Sequence, residues 1–519
     1  MSRDLFAREA LAQIPKILTL QDRNAHSPTY GSFDRNYWHY RIIDFPSGMA
    51  QEFVWPLALV YSLDLPDNPY FQQPSIKEWA EAGMLFAAHS AHADGSCDDY
   101  FPFEKASGAA AFSLLAAIES YALLQLDRPE LPGFFSRRAD WLANHEESGR
   151  LTNHQALIAL CLEKLGRKEA AARRLQRVLE WQDEEGWFAE YEGFDPGYQT
   201  LTIGLLAQFH ELSPNESLGR ALVRAIQFAE HFVHPDGSFG GEYGSRNTYN
   251  FFPHGFELAG KWLPEALSIN DRFLVGLTNG LAPCYADDHI IGHHTWSYLL
   301  AWQHWISPRP PRKQTSSGRT HFPRAGILID RRADATLYLA LNKGGVFKFF
   351  SQERLVASET QLSCVAGRGN AVAHLIDDYA VQIGADTIAI TGQLGWAKEN
   401  RMTTMKLLLL RVFMLMIGRF FPNLVRKVLQ RMLITGKKPA PFHFKRTLTW
   451  REDRLHVADE LTAPTWENVR AVGIGAAQTS IYVAMSRTWQ AGQLQPWLDL
   501  SPEIRKLKPG EPLRVERTF

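Results

Sequence analysis

Three residues in the first half of the sequence combine an amide, an imidazole and a phenol near predicted helix starts. Asn153 and His154 open one apolar segment of helical periodicity, and Tyr198 lies in the first turn of a later one. The start of the later helix is predicted from Asp195-Pro196, because Asp is a favoured N-cap and Pro suits the first helical position. Side chains at helix starts can be offered to a ligand, or they can simply cap and pack the helix.

This combination suits the removal of a proton next to a carboxylate, as in β-elimination from a uronic acid. The C5 proton becomes acidic only when the neighbouring carboxylate is neutralised, which an amide such as Asn153 or a cation such as His154 or Arg246 could do. A phenol has a pKa of about 10, so Tyr198 would need a cation close by to act as the base, but none to act as proton donor to the leaving oxygen. The loop after Arg246 adds His254, and these five residues are the candidate catalytic groups.

A polar turn containing glycine recurs along the same half of the sequence. The turns are Asp94-Gly95-Ser96, Glu185-Gly186-Trp187 and Asp236-Gly237-Ser238, and the second and third are about fifty residues apart, a spacing typical of a helical repeat. We expect these loops and their neighbours to bind substrate by aromatic stacking and hydrogen bonding. The predicted substrate-binding residues are Tyr37, Trp38, Asp98, Asp99, Trp187, Glu190, Glu242, Tyr243, Tyr249 and His294.

Residues 1–306 have the periodicity of helices joined by aromatic loops. With the recurring turns on one side, this pattern predicts an (α/α) toroid that carries the catalytic residues. The apolar segments of helical spacing fall near 48–63, 75–90, 106–126, 153–165, 168–181, 197–211, 216–232, 256–280 and 294–305.

The composition changes at 307–320, where Pro, Ser and basic residues predict a linker. Beyond it, over 321–519, the periodicity becomes two-fold, which favours an antiparallel β-sandwich and makes the whole chain a multidomain α+β protein. The predicted strands are Ala335–Leu341, Val346–Phe350, Ala371–Ile376, Tyr379–Ile383, Thr387–Thr391, Phe444–Trp450, Leu455–Leu461 and Ser480–Met485.

A basic, amphipathic helical insert at 401–438 interrupts the strand pattern. From Arg401 to Arg451 the sequence contains no Asp or Glu, while Leu407, Leu410, Met414 and further apolar residues recur at helical spacing. The apolar run is too short to cross a bilayer, so one interpretation is a helix pair lying on an anionic membrane surface. The alternative is a helical excursion that packs on the sandwich.

The Asn153-His154 pair and the Tyr198 loop together resemble the heparinase II/III-like and alginate-lyase polysaccharide lyases. In that group an Asn-His or His pair opens one helix, and a Tyr follows in a later helix after an acidic-Gly…Glu loop. The resemblance implies a helical toroid followed by a β-sandwich, and a substrate that is an acidic, uronic-acid-containing glycan or its lipid-linked precursor. It also implies a second histidine early in the sandwich, but the corresponding stretch, 341–348, keeps its glycines and has no histidine.

The amino-acid composition narrows the possible partners, cofactors and location of the protein. The chain has 55 Lys and Arg against 56 Asp and Glu, which argues against a nucleic-acid partner. Its four cysteines are widely spaced, and adjacent histidines such as His293 and His294 point in different directions, so neither a metal nor a cofactor is predicted. The first residues lack the apolar core of a signal peptide, and a cytoplasmic location with attachment to the inner membrane is the expectation.

Three other functions remain open at the level of sequence. A uronosyl C5-epimerase would share the first half of the elimination reaction. An inverting glycoside hydrolase would use two carboxylates on the recurring loops. A non-catalytic, membrane-associated glycan-binding protein of exopolysaccharide biosynthesis would bind the glycan without cleaving it.

Overall fold

The amino-terminal part of the protein is a closed ring of helices. The computed structural model describes residues 2–191, 193–285, 288–311, 317–398, 401–431, 437–475, 486–494 and 497–519. The ring consists of α1 (Asp4–Leu11), α2 (Ile14–Leu20), α3 (Arg35–Trp38), α4 (Val54–Ser62), α5 (Pro74–Ser90), α6 (Ser107–Leu123), α7 (Glu130–Asn144), α8 (Thr152–Lys164), α9 (Lys168–Glu180), α10 (Pro196–Leu212), α11 (Glu216–Glu230), α12 (His254–Gly260), α13 (Leu267–Thr278) and α14 (Asp288–Gln303).

The first and last helices of the ring pack against each other. The ring of Phe6 in α1 lies 5.6 Å from that of Tyr298 in α14, and Trp302 Nε1 donates a hydrogen bond of 3.1 Å to Asp4 Oδ1. This contact closes the helices into the predicted (α/α) toroid. Within the described residues, each helix is either too short or too polar to span a bilayer.

The recurring turns of the sequence are equivalent in structure. Gly95, Gly186 and Gly237 all have positive φ angles, of 87°, 102° and 83°. A Cβ at these positions would collide with the backbone of α7, α11 and α13 respectively, so only glycine allows each turn to pack on the second helix that follows it. In the first and third turns, Asp94 and Asp236 each accept two hydrogen bonds from the serine two residues later. The recurrence therefore reflects a repeated structural unit.

Several helices of the ring differ from those expected from periodicity. The segment predicted at 256–280 is split into α12 and α13, with a short 3₁₀ turn that begins at Pro264 preceding α13. Helices α1, α2, α3 and α7 were not predicted. The buried face of α7 includes the charged Arg138, whose guanidinium donates to the Gly95 carbonyl and to Ser113.

Strands form the remainder of the chain. They are β1 (Cys284–Tyr285), β2 (Gly318–Phe322), β3 (Ile327–Arg332), β4 (Ala335–Ala340), β5 (Val346–Ser351), β6 (Arg354–Glu359), β7 (Leu362–Ala366), β8 (Gly369–Val372), β9 (Ala380–Ile383), β10 (Thr387–Trp396), β11 (Pro439–Arg451), β12 (Arg454–Thr462), β13 (Val469–Ile474), β14 (Ser486–Arg487), β15 (Leu498–Asp499) and β16 (Leu513–Thr518); the short helix α17 (Ser501–Ile504) precedes β16. One antiparallel sheet has the order β2-β3-β4-β5-β6 and the other β15-β13-β7-β8-β10-β11-β12-β16, with β9 also paired to β10.

Most of the predicted strands are confirmed. The strand expected at 371–376 instead begins at Gly369 and ends at Val372, and β2 begins at Gly318, inside the segment predicted as linker. The strand predicted at Ser480–Met485 lies outside the described residues, as does the middle of the linker at 312–316.

The central strands β3, β4 and β5 of the smaller sheet form a middle layer that is largely buried on both faces. In β3 and β4, Ile329 and Tyr338 belong to the hydrophobic core of the toroid, whereas Leu328 and Leu339 belong to the core of the sandwich. Because side chains alternate between faces, successive residues of one strand serve the two cores. The larger sheet has solvent on one side, and β11 alternates between exposed and buried residues over most of its length.

The basic insert forms two helices between β10 and β11, named α15 (Thr404–Met416) and α16 (Pro422–Gln430). Its ends at 399–400 and 432–436 lie outside the described residues. Arg411 pairs with Asp44 at 2.7 Å and Arg426 pairs with Glu147 at 2.5 Å. Both acids belong to the toroid, so these ion pairs connect the insert to the helical ring and not to the sandwich.

Candidate active site

One buried carboxylate fixes the helix start at Tyr198 to the loop that carries Arg246. Asp195 caps α10, accepting a 3.0 Å hydrogen bond from the Tyr198 N–H, as predicted. The same carboxylate accepts the Arg246 N–H at 3.1 Å and the hydroxyl of Thr248. Tyr198 and Arg246 are 48 residues apart in sequence, and Asp195 sets their relative position.

The Arg246 guanidinium lies over the Tyr198 ring, with Cζ 4.3 Å from its centroid, and 5.0 Å from the ring of Tyr191. Its Nη1 is 3.9 Å from Glu190 Oε2. Burial by itself would lower the pKa of Arg246, but the charges of Tyr198, Tyr191 and Glu190 raise it above its usual value. The guanidinium is therefore a permanent cation beside the phenol, which attracts negative charge on the ring oxygen.

Asn153 and Glu190 lie behind these side chains. Glu190 Oε1 accepts hydrogen bonds from the Asn153 side-chain amide at 2.7 Å and from its backbone N–H at 3.1 Å. Burial raises the pKa of Glu190 to about 7, against the opposing effect of Arg246 and Asn153. Asn153 thus positions Glu190 and leaves its own buried Oδ1 without a hydrogen-bond partner among the described residues.

His154 belongs to a row of charged groups that ends in the insert. Its Nδ1 is 2.8 Å from Glu147 Oε2, and Glu147 Oε1 is 2.5 Å from Nη2 of Arg426. Burial would raise the pKa of Glu147, but the charges of His154 and Arg426 lower it to about 2. The ionised Glu147 orients the imidazole and, through Arg426, connects it to α16.

A cavity of about 160 Å³ lies between these groups and is lined by His154, Tyr191, Tyr198, Arg246, Arg426 and Asp99, among others. On its other wall, Asp99 accepts a hydrogen bond of 2.6 Å from Ser47, and Glu104 accepts the backbone N–H of Tyr100 at 2.7 Å. Burial and the nearby Asp99 raise the pKa of Glu104 to about 7. This cavity is named the cleft.

His293 also lines the cleft, and no local motif indicated its position there. Its Nδ1 is 3.0 Å from Oε2 of the buried Glu52, 241 residues away, and its ring stacks on Phe112 at 4.8 Å. Nε2 is buried and has no hydrogen-bond partner among the described residues. The cleft therefore has two histidines oriented by buried glutamates, His154 and His293. Neither Glu52 nor Arg426 could have been linked to these histidines by local spacing.

Several predicted site residues lie elsewhere, and His254 is the main correction. It is fully buried between helices, with Nδ1 2.7 Å from Ser297 Oγ, and burial lowers its pKa to about 3. His294 is also buried, stacked between the rings of Tyr285 and Phe252 at 3.6 and 4.3 Å. Both histidines act as core residues because the helix turns them away from the cleft.

Glu242, Tyr243 and Tyr249 are buried at the contact between toroid and sandwich. Glu242 pairs with Lys348 at 3.2 Å and with Arg487 at 2.8 Å, and accepts the Tyr249 hydroxyl at 2.5 Å. Tyr243 stacks on Tyr338, 5.7 Å away. This ion cluster joins the two parts of the protein, so the third recurring loop has a structural role in place of the predicted substrate contact.

The remaining predicted residues support loops outside the cleft. Asp98 accepts the backbone N–H groups of Phe103 and Lys105 at 2.7 and 3.1 Å. Tyr37 packs near Phe86, while the indoles of Trp38 and Trp187 donate to the Leu20 carbonyl and to Glu185. Other aromatic residues do line the cleft, namely Tyr100, Phe112 and Tyr191, together with Tyr198. Over the described part of the chain, no group of three His, Cys, Asp or Glu side chains is arranged to hold a metal ion.

A helical toroid followed by antiparallel β-sheets is the architecture of solved polysaccharide lyases. Xanthan lyase from Paenibacillus aligns over 91% of this chain with a TM-score of 0.55 and 10% sequence identity. This chain covers 46% of the length of that protein. The chondroitin AC lyase of Streptomyces coelicolor A3, solved with chondroitin sulphate, aligns over 91% of this chain and 67% of its own, with a TM-score of 0.49 and 11% identity.

No protein-family model and no curated protein matches the chain. At 10% identity the likeness to xanthan lyase establishes the fold, and it confirms the toroid-plus-sandwich architecture implied by the sequence resemblance. The roles of individual residues rest on the geometry of the cleft.

Proposed function

We propose that this protein is a polysaccharide lyase that cleaves an acidic, uronic-acid-containing glycan by β-elimination. The observation that carries the proposal is the Arg246 guanidinium 4.3 Å above the Tyr198 ring, in a cleft that also contains His154. A cation beside a phenol is what a tyrosine base requires. The fold shared with xanthan lyase is consistent with this function.

In the proposed reaction, the Tyr198 phenolate removes the C5 proton of the sugar. The electrons of the C5–H bond form a C4–C5 double bond, the bond between C4 and its leaving oxygen breaks, and that oxygen takes up a proton. Arg246 and His154 neutralise the substrate carboxylate and the charge that develops on it in the transition state. Glu190, held by Asn153, keeps Arg246 in place.

We assign proton transfer to the leaving oxygen to His293 or to the newly protonated Tyr198. The family that the sequence resembles has a second histidine in the sandwich, which is absent from 341–348. His293 contributes to the cleft, from the toroid side, a buried Nε2 that has no hydrogen-bond partner within the described part of the chain. Its Nδ1 lies 3.0 Å from Oε2 of Glu52, a contact that orients the imidazole ring.

The test is incubation with a panel of uronic-acid polysaccharides and oligosaccharides, with product followed by the ultraviolet absorbance of its unsaturated ring. We expect absorbance to rise with wild-type protein and to be lost in Tyr198→Phe and Arg246→Ala. Cleavage without absorbance would contradict elimination. Exchange of the C5 hydrogen with deuterated solvent, without cleavage, would indicate the epimerase instead.

An inverting glycoside hydrolase is the second candidate, and Glu104 is the observation that favours it. With a pKa raised to about 7, Glu104 could act as the general acid, and the nearby Asp99 could act as the base. This mechanism predicts new reducing ends without ultraviolet absorbance, and their loss in Glu104→Gln. Normal elimination by Glu104→Gln would exclude it.

A further inference from the structure

The helix pair α15–α16 exposes an unusual amount of apolar surface. Large side chains along it, including Leu408, Leu409, Phe413, Met416, Phe420 and Leu424, are between 43% and 70% exposed. Contiguous apolar surface of this kind marks a site of contact with a membrane or with another protein. We call this the apolar face of the insert.

Basic side chains surround the apolar face. Arg401, Lys406, Arg419, Lys427 and Arg431 are exposed, and none of them pairs with a carboxylate among the described residues. The sequence contributes no Asp or Glu between Arg401 and Arg451. The face is therefore complementary to a surface that is both apolar and negatively charged, such as a bilayer of anionic lipids.

The insert is held in a fixed position by its inner side. Met414 and Val425 are buried, and Gly418 between them allows the two helices to turn tightly, since a Cβ there would collide with Met414. Arg411 and Arg426 reach the toroid acids Asp44 and Glu147. The half-buried Arg411 and Arg426 thus attach the insert to the ring, while the exposed cations remain available to contact a negatively charged surface.

The same attachment places the apolar face next to the cleft. Arg426 lines the cleft and pairs with Glu147, which in turn orients His154. One short helix therefore carries a cation of the cleft on its inner side and apolar residues such as Leu424 on its outer side.

We propose that α15–α16 docks the protein on an anionic lipid surface and that the cleft receives its glycan there. With 13 residues, α15 is about 20 Å long, shorter than the roughly 30 Å core of a bilayer, so the helix pair lies in the interface. The choice of a membrane over a second copy of the chain rests on the acid-free, cationic border of the face. The statement about the glycan rests on the proposed lyase function, whereas docking does not.

The test is co-sedimentation of the full chain with vesicles of phosphatidylglycerol and phosphatidylcholine, compared with vesicles of phosphatidylcholine alone. We expect wild-type protein in the pellet with anionic vesicles, and progressively less of it as salt is added. The double variant Arg419→Glu with Lys427→Glu should bind at least about tenfold more weakly. The matched control is Arg368→Glu with Lys508→Glu, exposed cations of the sandwich, which should bind like wild type.

A third variant, Leu408→Glu with Phe420→Glu, tests the apolar contribution and should lose binding while keeping the thermal unfolding transition of the wild type. Wild-type protein in the supernatant with both kinds of vesicle would overturn the proposal. An equal loss of vesicle binding in the control pair Arg368→Glu with Lys508→Glu would also overturn it. So would a wild-type protein that does not bind vesicles but forms a concentration-dependent dimer, if Leu408→Glu with Phe420→Glu abolishes that dimer. Elimination can be assayed on soluble oligosaccharides without any membrane, so the two proposals are tested separately. Vesicle binding without elimination would contradict only the lyase function. Elimination without vesicle binding would contradict only the docking.

Discussion

The Cζ atom of Arg246 lies 4.3 Å from the centroid of the Tyr198 ring, and both residues are held by the carboxylate of Asp195. This relationship links a helix N-terminus to a distant loop through one buried side chain. It gives the tyrosine a permanent cation without placing the two residues near each other in sequence.

Tyr198→Phe should reduce kcat on an acidic glycan substrate by about 10²–10⁴-fold, because proton transfer at the reacting carbon needs the phenol oxygen. The protein should unfold at the wild-type temperature, since the ring remains in place. The measurement is product absorbance in steady-state kinetics, with circular dichroism to follow unfolding. Tyr121→Phe, which changes a tyrosine packed on Phe135 outside the cleft, is the matched control and should keep wild-type kcat.

Asp195→Ala should lower both stability and activity. It removes a helix cap together with the buried hydrogen bonds to the Arg246 loop, for a loss of about 2–4 kcal/mol in the free energy of unfolding. Asn215→Ala removes the comparable cap of α11, which has no connection to the cleft, and should cost about 1 kcal/mol without changing kcat. Urea denaturation of both variants measures the loss of stability, and steady-state kinetics measures kcat. Equal kcat in the two variants would mean that Asp195 acts only as a cap.

His293→Gln and His254→Gln should behave differently although both histidines are buried. His293 lines the cleft, and its Nε2 has no hydrogen-bond partner in the described ranges of the chain, so its replacement should lower kcat by about 10²-fold if it transfers a proton. His254 packs against Gly204 and bonds Ser297, so its replacement should lower the unfolding temperature and leave kcat unchanged in the folded protein. Loss of kcat in His254→Gln alone would reverse this assignment.

Glu190 should make folding stability pH-dependent near neutrality. Its pKa is raised to about 7 in the folded protein, above its ordinary value of about 4.5, so ionisation opposes folding. The stability that the protonated carboxyl contributes is complete below pH 4.5 and is lost as pH rises towards 7, by about 1–3 kcal/mol. Denaturant unfolding at intervals over this range should show a smaller loss in Glu190→Gln than in wild type, and the remaining loss comes from Glu104, whose pKa is also raised to about 7. Glu216→Gln, at an exposed glutamate, should follow wild type.

The local pattern of the sequence was sufficient for the fold and for part of the cleft. Asp195-Pro196 predicted the start of α10, the recurring glycine turns predicted the ring, and the two-fold alternation predicted β11 and β12. His154, Tyr198 and Arg246 were selected for their chemistry and lie together in the cleft. Apart from the recurrence of the glycine turns, each of these signals depends on residues within a few positions of each other.

The tertiary structure alone decided which polar residues face the cleft. Glu52 orients His293 from 241 residues away, Arg426 reaches Glu147 from the insert, and Glu242 meets Lys348 at the contact with the sandwich. Backbone geometry repeats every 3.6 residues in a helix and every two in a strand, so periodicity reveals which elements form. The burial and pairing of a charged side chain depend on whichever distant segment packs against it, and no local pattern records that contact.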